Sequence, residues 1–179
     1  LAFIENQAGG RNIHDDLTAE TSARIIASHI RDGIDLGYEH GLPVQIIGFI
    51  PQHHGTSVMT YFHQKALREA GGDAELVDES RFRYPGPKPQ TREAAILMLA
   101  DGVEASVRSL DSKDEASIRA MVDRIVDARV EDGQLDDAEL TLKNIAQIKD
   151  AFVGQLLGMY HQRIKYPDNV VPLERREQA

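Results

Sequence analysis

The chain has 179 residues, enough for one compact domain with a single buried core. It contains no cysteine, which excludes disulfide frameworks, thiolate metal sites and cysteine nucleophiles and leaves histidine and carboxylate to do any metal chemistry. With 20 Lys+Arg against 29 Asp+Glu the formal charge is -9, which argues against nonspecific binding of a nucleic-acid polymer and means that an anionic ligand would need local positive charge.

No stretch reaches the ~20 apolar residues of a membrane span, and the start lacks the basic-then-apolar layout of a signal peptide. The chain therefore reads as soluble. It opens on Leu1-Ala2-Phe3-Ile4 rather than on Met, and is expected to be a fragment of something longer.

In chain order, the first helix is predicted from about Thr18, as N-cap, to His40, with Gly41 as its left-handed stop. Ser22, Ile25, Ile26, His29, Gly33 and Leu36 share one stripe at helical spacing. A second helix is expected to open on Pro43, to be disturbed at Pro51 and to end near His53-His54-Gly55. A third runs from Thr56 or Ser57 to the Gly71-Gly72 break. Residues 73 to 90 form the one long irregular stretch, since Pro85-Gly86-Pro87-Lys88-Pro89 sustains neither a helix nor a ladder; an ordered loop of this length is often functional.

From Thr91 the pattern is helical again through Ala94, Leu97, Met98, Asp101, Ala105 and Arg108, ending around Leu110. Ser112-Lys113-Asp114-Glu115 reads as a capping box for a fifth helix carrying Ile118, Met121, Val122, Ile125 and Val126, which stops before Gly133. The last helix is predicted from about Thr141 to Ile164, with Ile145, Ile148, Phe152, Leu156 and Met159 on its core face, and the tail after Pro167 is expected to fray. There is no internal repeat, so the fold class is all-α, with about six helices and one ordered loop.

Four side chains stand out as candidates for metal chemistry. His29 lies on the apolar stripe of the first helix, where it is either a hydrogen-bonded core histidine or a ligand. His53 and His54 are adjacent, so a continuing helix would point them about 100° apart, whereas a helix end can turn both inward. As an alternative they form a solvated pair at a helix C-terminus. Asp101 falls where the core of its helix should be; burying it requires a salt bridge, to Arg108 or Arg24, or a cation shared with histidines. Imidazole plus carboxylate suits iron, manganese or zinc. Arg81, Arg83, Lys88 and Arg92 concentrate positive charge around the Pro-rich loop; they would contact phosphate, with Tyr84 stacking on a base, or else pair with the acidic surface.

A set of motifs carries a resemblance. Phe3-Ile4-Glu5-Asn6-Gln7, the segment Asn12 to Leu17, Ser28-His29, Gln52-His53-His54-Gly55-Thr56, and the runs at 82 to 91, 98 to 110 and 160 to 164 are together similar to the cytoplasmic HD domain of bacterial seven-transmembrane receptor-HD proteins. The resemblance reaches Pro167, which implies an HD segment at 1–167 and a tail at 168–179. It implies an HD-type helical bundle, truncated at its N-terminus, and a metal-dependent phosphodiesterase that hydrolyses cyclic-di-AMP to the linear dinucleotide through a metal-activated water rather than a side-chain nucleophile. It also implies two divalent transition metals in the intact domain, with His29, His53 and His54 holding one and Asp101 the other; the charge and ring of the Pro-rich loop then make Arg83, Tyr84 and Lys88 the expected contacts to the nucleotide. Contact with a membrane comes only through the parent inner-membrane receptor.

The family's first histidine and its His-Asp pair stand upstream of the segment at which this chain begins. At most one metal, and impaired turnover, are therefore expected here. His14-Asp15 spells the same dipeptide but lies in a polar loop before a helix cap, without an upstream histidine, and is not counted as a ligand pair. Two readings from other classes compete: a catalytically silent ligand-sensing module whose histidines are packed and metal-free, and a scaffold that forms a homodimer through its last two helices.

Overall fold

The computed structural model describes residues 13–160. Among them are six α-helices: α1 (Ala19–Glu39), α2 (Val44–Ile47), α3 (Thr60–Glu69), α4 (Arg92–Arg108), α5 (Glu115–Glu131) and α6 (Leu142–Tyr160), with short 3-10 turns at Ile13–Asp15, Ala74–Leu76 and Glu79–Phe82. The expected all-α class holds, and Val58 and Arg83 form an isolated antiparallel bridge. The Phe3–Gln7 motif, the helical run from His161 to Ile164 and the tail lie outside the described residues.

Two apolar clusters organise the chain. In the second half, α4, α5 and α6 pack around Leu99, Val107, Ile118, Val122, Val126 and Leu156. In the first half, α1 and α3 close over Ile26, Ile30, Met59 and Phe62 and are completed by Phe82 and Tyr84 from the long loop. Helix starts follow their side chains: the hydroxyls of Thr18 and Thr91 accept from the N–H groups of Thr21 and Ala94, as N-caps do.

Several sequence expectations need correction. The second helix does not run to His53. After four residues the winding tightens, with Phe49 N–H donating to Ile46 and Ile50 N–H to Ile47, and Pro51 has no N–H to continue it. The third helix starts at Thr60, because Met59 N–H donates to Phe82 and Tyr84 N–H to Ser57, an extended pairing that precludes helix at 56 to 59. The cap of α5 is Asp114, whose carboxylate accepts from Ser117 N–H, while Ser112 donates its hydroxyl to the same carboxylate. Leu36 and Met159, assigned to core faces, are 53% and 66% exposed, because the buried stripes run through Ala23, Ile26 and Ile30 on α1 and Ile145, Val153 and Leu156 on α6.

His14 stands in a 3-10 turn between exposed neighbours, but its own side chain is turned into the core. It is 1% exposed and packs edge-on to Phe62, with ring centroids 5.3 Å apart. The carbonyls of His14 and Leu17 both accept from Lys65 Nζ, at 2.9 and 2.8 Å, which ties the approach to α1 onto α3.

Candidate metal centre

The candidate site forms where α1 meets the irregular turn between α2 and α3. His29 projects from the middle of α1, and His53 and His54 come from the turn. Small residues let the turn approach: a Cβ at Gly33 would stand 3.2 Å from Ile50, and one at Gly37 3.0 Å from Ile47. One ligand atom from each of the three imidazoles falls within 4.8 Å of the others.

The hydrogen bonds orient these rings. His29 Nδ1 is 2.5 Å from the carbonyl of Ile26, and His53 Nδ1 is 2.6 Å from that of Ile50. A carbonyl only accepts, so each Nδ1 carries the proton, and in the neutral ring each Nε2 presents a lone pair. Those two Nε2 atoms lie 3.3 Å apart. Facing lone pairs repel unless a cation or a proton lies between them. Two nitrogens about 2.0–2.2 Å from one ion stand roughly 2.9–3.4 Å apart at neighbouring coordination positions, so the pair fits a shared cation. Backbone carbonyls that fix the tautomer are the usual outer support of metal-binding histidine.

Burial favours the neutral form of His29 and of His54. It is the largest cause that lowers the His29 pKa, only partly opposed by the hydrogen bond to Ile26, with neighbouring His53 lowering it further. It pushes His54 down to about 3, with help from His53, His29 and Arg129. Neutral imidazole is the form that binds metal. His54 packs against two rings: His53 at 3.9 Å between centroids, and Tyr84, stacked at 4.3 Å with planes 23° apart.

Asp101 arrives from α4, its Oδ2 3.7 Å from His54 Nδ1. Because His54 is neutral this is not an ion pair, and the distance is too long for a hydrogen bond. The expectation that Asp101 is buried is overturned: its side chain is 50% exposed. The core stripe of α4 runs through Ala95, Met98, Leu99, Val103 and Val107, which leaves Asp101 on the flank that borders the histidines and Leu97 42% exposed.

The residues expected to touch substrate are engaged within the protein. Arg83 donates to the carbonyl of Thr56 at 2.9 Å and pairs with Glu79 at 2.8 Å and Asp132 at 2.9 Å. Its guanidinium pKa is raised, chiefly by the hydrogen bond to Asp132. Tyr84 is 9% exposed with a ring face against His54. Lys88 has the loosest tie, one 3.4 Å contact to Asp136. Sequence reasoning gave no role to Gln52, whose Oε1 accepts from Gln90 N–H at 2.7 Å, or to Thr56, both quoted only within the motif around the histidine pair, and it missed Asp132 and Gln134, which help hold the histidine turn. Only the Asp-Gly turn after α5 could have drawn attention to Gln134.

Imidazoles from α1 and from the turn after α2, beside a carboxylate from α4 on an all-α bundle, match the architecture of an HD-type phosphohydrolase domain. No protein-family profile matches the sequence. The cyclic-di-AMP phosphodiesterase PgpH of Listeria monocytogenes is 45% identical over 167 residues, covering 93% of this chain and 23% of that protein. PgpH of Bacillus subtilis is 40% identical with the same coverage of 93% and 23%. The crystal structure of the Listeria PgpH HD domain in complex with cyclic-di-AMP matches with TM-score 0.79 and 42% identity, over 87% of this chain and 71% of that one. This chain belongs to the PgpH HD-domain family. It spans under a quarter of the length of the curated PgpH proteins, and none of its described helices is long and apolar enough to cross a membrane.

Proposed function

We propose that the chain is the metal-holding part of a phosphodiesterase domain that hydrolyses cyclic-di-AMP to the linear dinucleotide. The observation that carries this reading is the convergence of His29, His53 and His54, with donor atoms within 4.8 Å, beside Asp101. His29, His53 and His54 would hold one divalent cation and Asp101 would contribute to a second. When bound, such a cation supplies Lewis acidity toward a phosphoryl oxygen and toward water.

The protein's own groups do the positioning. The carbonyls of Ile26 and Ile50 hold two imidazoles in the metal-binding tautomer. Tyr84 restricts rotation of His54 by stacking on it, and Asp101 brings negative charge to the open side of the cluster. Lys88, with one long contact to release, is the cation of the Pro-rich loop best able to meet a phosphate; Arg83 and Tyr84 would shape the nucleotide's seat from behind. Iron or manganese is the expected metal, with zinc as the alternative. The HD segment is assigned to residues 1–167, followed by a tail at 168–179, in the cytoplasmic part of an inner-membrane receptor, with a cyclic dinucleotide rather than a nucleic-acid polymer as partner.

Metal analysis of freshly purified protein, with cyclic-di-AMP cleavage assayed in the protein extended upstream to include the further His and His-Asp ligands, tests this reading. Stoichiometric metal that is lost in His53→Ala, with cleavage in the extended protein, supports it. A metal-free protein with no cleavage after extension overturns it, and favours a silent sensing or dimerising module.

A further inference from the structure

Gln134 lies just past the end of α5, far in sequence from any histidine, yet it is fully buried at 0% exposure. Every polar atom of its amide is used. Oε1 accepts from Thr56 N–H at 2.9 Å and lies 3.3 Å from the Thr56 hydroxyl, and Nε2 reaches that hydroxyl at 3.0 Å and donates to Asp132 Oδ2 at 2.9 Å. The third polar group of Thr56, its carbonyl, accepts from Arg83 at 2.9 Å, and the same guanidinium pairs with Asp132. Thr56 stands two residues after His54, whose own carbonyl is held by the N–H and hydroxyl of Ser57 at 3.2 and 2.7 Å. The end of the histidine turn is thus fastened to α5 through one amide, one guanidinium and one carboxylate.

Gly55, between the histidine pair and Thr56, lies directly against this clamp: a Cβ there would stand 2.5 Å from Gln134 Oε1. A buried amide with complete partners resists displacement, because each bond broken leaves a desolvated polar group behind. The turn has no regular secondary structure of its own to set its path. Its register is fixed from outside.

We propose that Gln134, braced by Asp132 and Arg83, is a positioning residue that sets the His53-His54 turn in the orientation where these imidazoles meet His29. The proposal rests on reading the three histidines as metal ligands, but concerns their placement in the metal-free protein as well. Groups that orient a ligand from outside typically change metal affinity by about 10–100-fold when removed.

The test compares the 179-residue chain with Gln134→Met, which keeps the volume and removes the hydrogen bonds, and with Val122→Ala, a core variant of α5 remote from the histidines. Manganese affinity is measured by calorimetry, and imidazole 15N shifts by NMR without metal. The expected result is at least tenfold weaker manganese binding and altered His53 and His54 shifts in Gln134→Met, with both close to wild type in Val122→Ala. Unchanged shifts in Gln134→Met, or equal changes in the two variants, overturn the proposal. Absence of manganese binding by the wild type, with shifts still altered in Gln134→Met, would overturn the metal reading and leave the positioning role standing. Should Gln134→Met not fold, Gln134→Glu, which keeps the acceptor for Thr56 N–H and loses the donor to Asp132, gives the same shift comparison.

Discussion

His29 Nε2 and His53 Nε2 face each other at 3.3 Å while the opposite nitrogen of each ring is committed to a backbone carbonyl. Two acceptors at that distance are satisfied by a cation, so metal should bind the folded chain and not the unfolded one. At a free metal concentration 100 times Kd, stabilisation should be about 2.7 kcal/mol, or roughly 5–11 °C in Tm for a chain of this size. A thermal melt with and without manganese measures it. His53→Ala should abolish the shift, and an equal shift in that variant would remove His53 from the site.

The helices were legible where a stripe and a cap agree, as in α1, where Thr18 and the Ile26 face fix start and orientation. The turn that carries His53 and His54 was not, because Val44, Ile46 and Ile47 look helical while the path is set by the pairing of Met59 with Phe82 and by the Gln134 clamp, both distant in sequence. Asp101 was singled out on an expectation of burial that the structure does not bear out. A carboxylate at helical spacing from Leu97 and Met98 suggests burial, yet rotating the stripe to Ala95 and Leu99 makes the same residue a flank position beside His54. Arg83, Tyr84 and Lys88 stood out by charge and type, but sequence alone does not reveal that Asp132, His54 and Asp136 lie beside them.

Acid should loosen α5 at its start. The Asp114 carboxyl is held down to about 2 by the Ser112 hydroxyl first, then by the N–H and hydroxyl of Ser117. In the unfolded chain it titrates near the ordinary 3.8. Between those values the unfolded state holds the extra proton, so this contribution to stability is complete above pH 3.8 and is lost as pH falls toward 2. Carboxyl 13C NMR should show the low pKa in the wild type and its return toward 3.8 in a Ser112→Ala, Ser117→Ala double variant. A wild-type value near 3.8 would refute the cap.

Phe62 is 0% exposed and is the largest fully buried side chain of the first-half cluster, in edge contact with both His14 and Tyr61. Phe62→Ala should cost about 3–5 kcal/mol, a large share of the ~5–15 kcal/mol that holds a domain folded. Urea unfolding should show a lower midpoint at unchanged m. A loss below about 1 kcal/mol would mean that α1 and α3 are held mainly by something other than this cluster.

Gly55 and Gly71 separate backbone cost from crowding. Both have positive φ, 54° and 68°, but a Cβ at Gly71 meets nothing within 4 Å, whereas at Gly55 it would stand 2.5 Å from Gln134 Oε1 and 2.6 Å from Met98 Cε. An alanine in the left-handed region costs about 1–2 kcal/mol by itself, so Gly71→Ala should lose about that much and leave metal binding unchanged. Gly55→Ala carries the same backbone cost and must also displace a fully buried amide from Thr56, which couples its loss of stability to the histidine turn. It should be the more destabilised of the two in chemical denaturation, and metal titration of its folded fraction should show weakened affinity. Equal losses in the two variants, with wild-type metal affinity in Gly55→Ala, would mean that the contact between Gly55 and Gln134 gives way freely and does not hold the ligands in place.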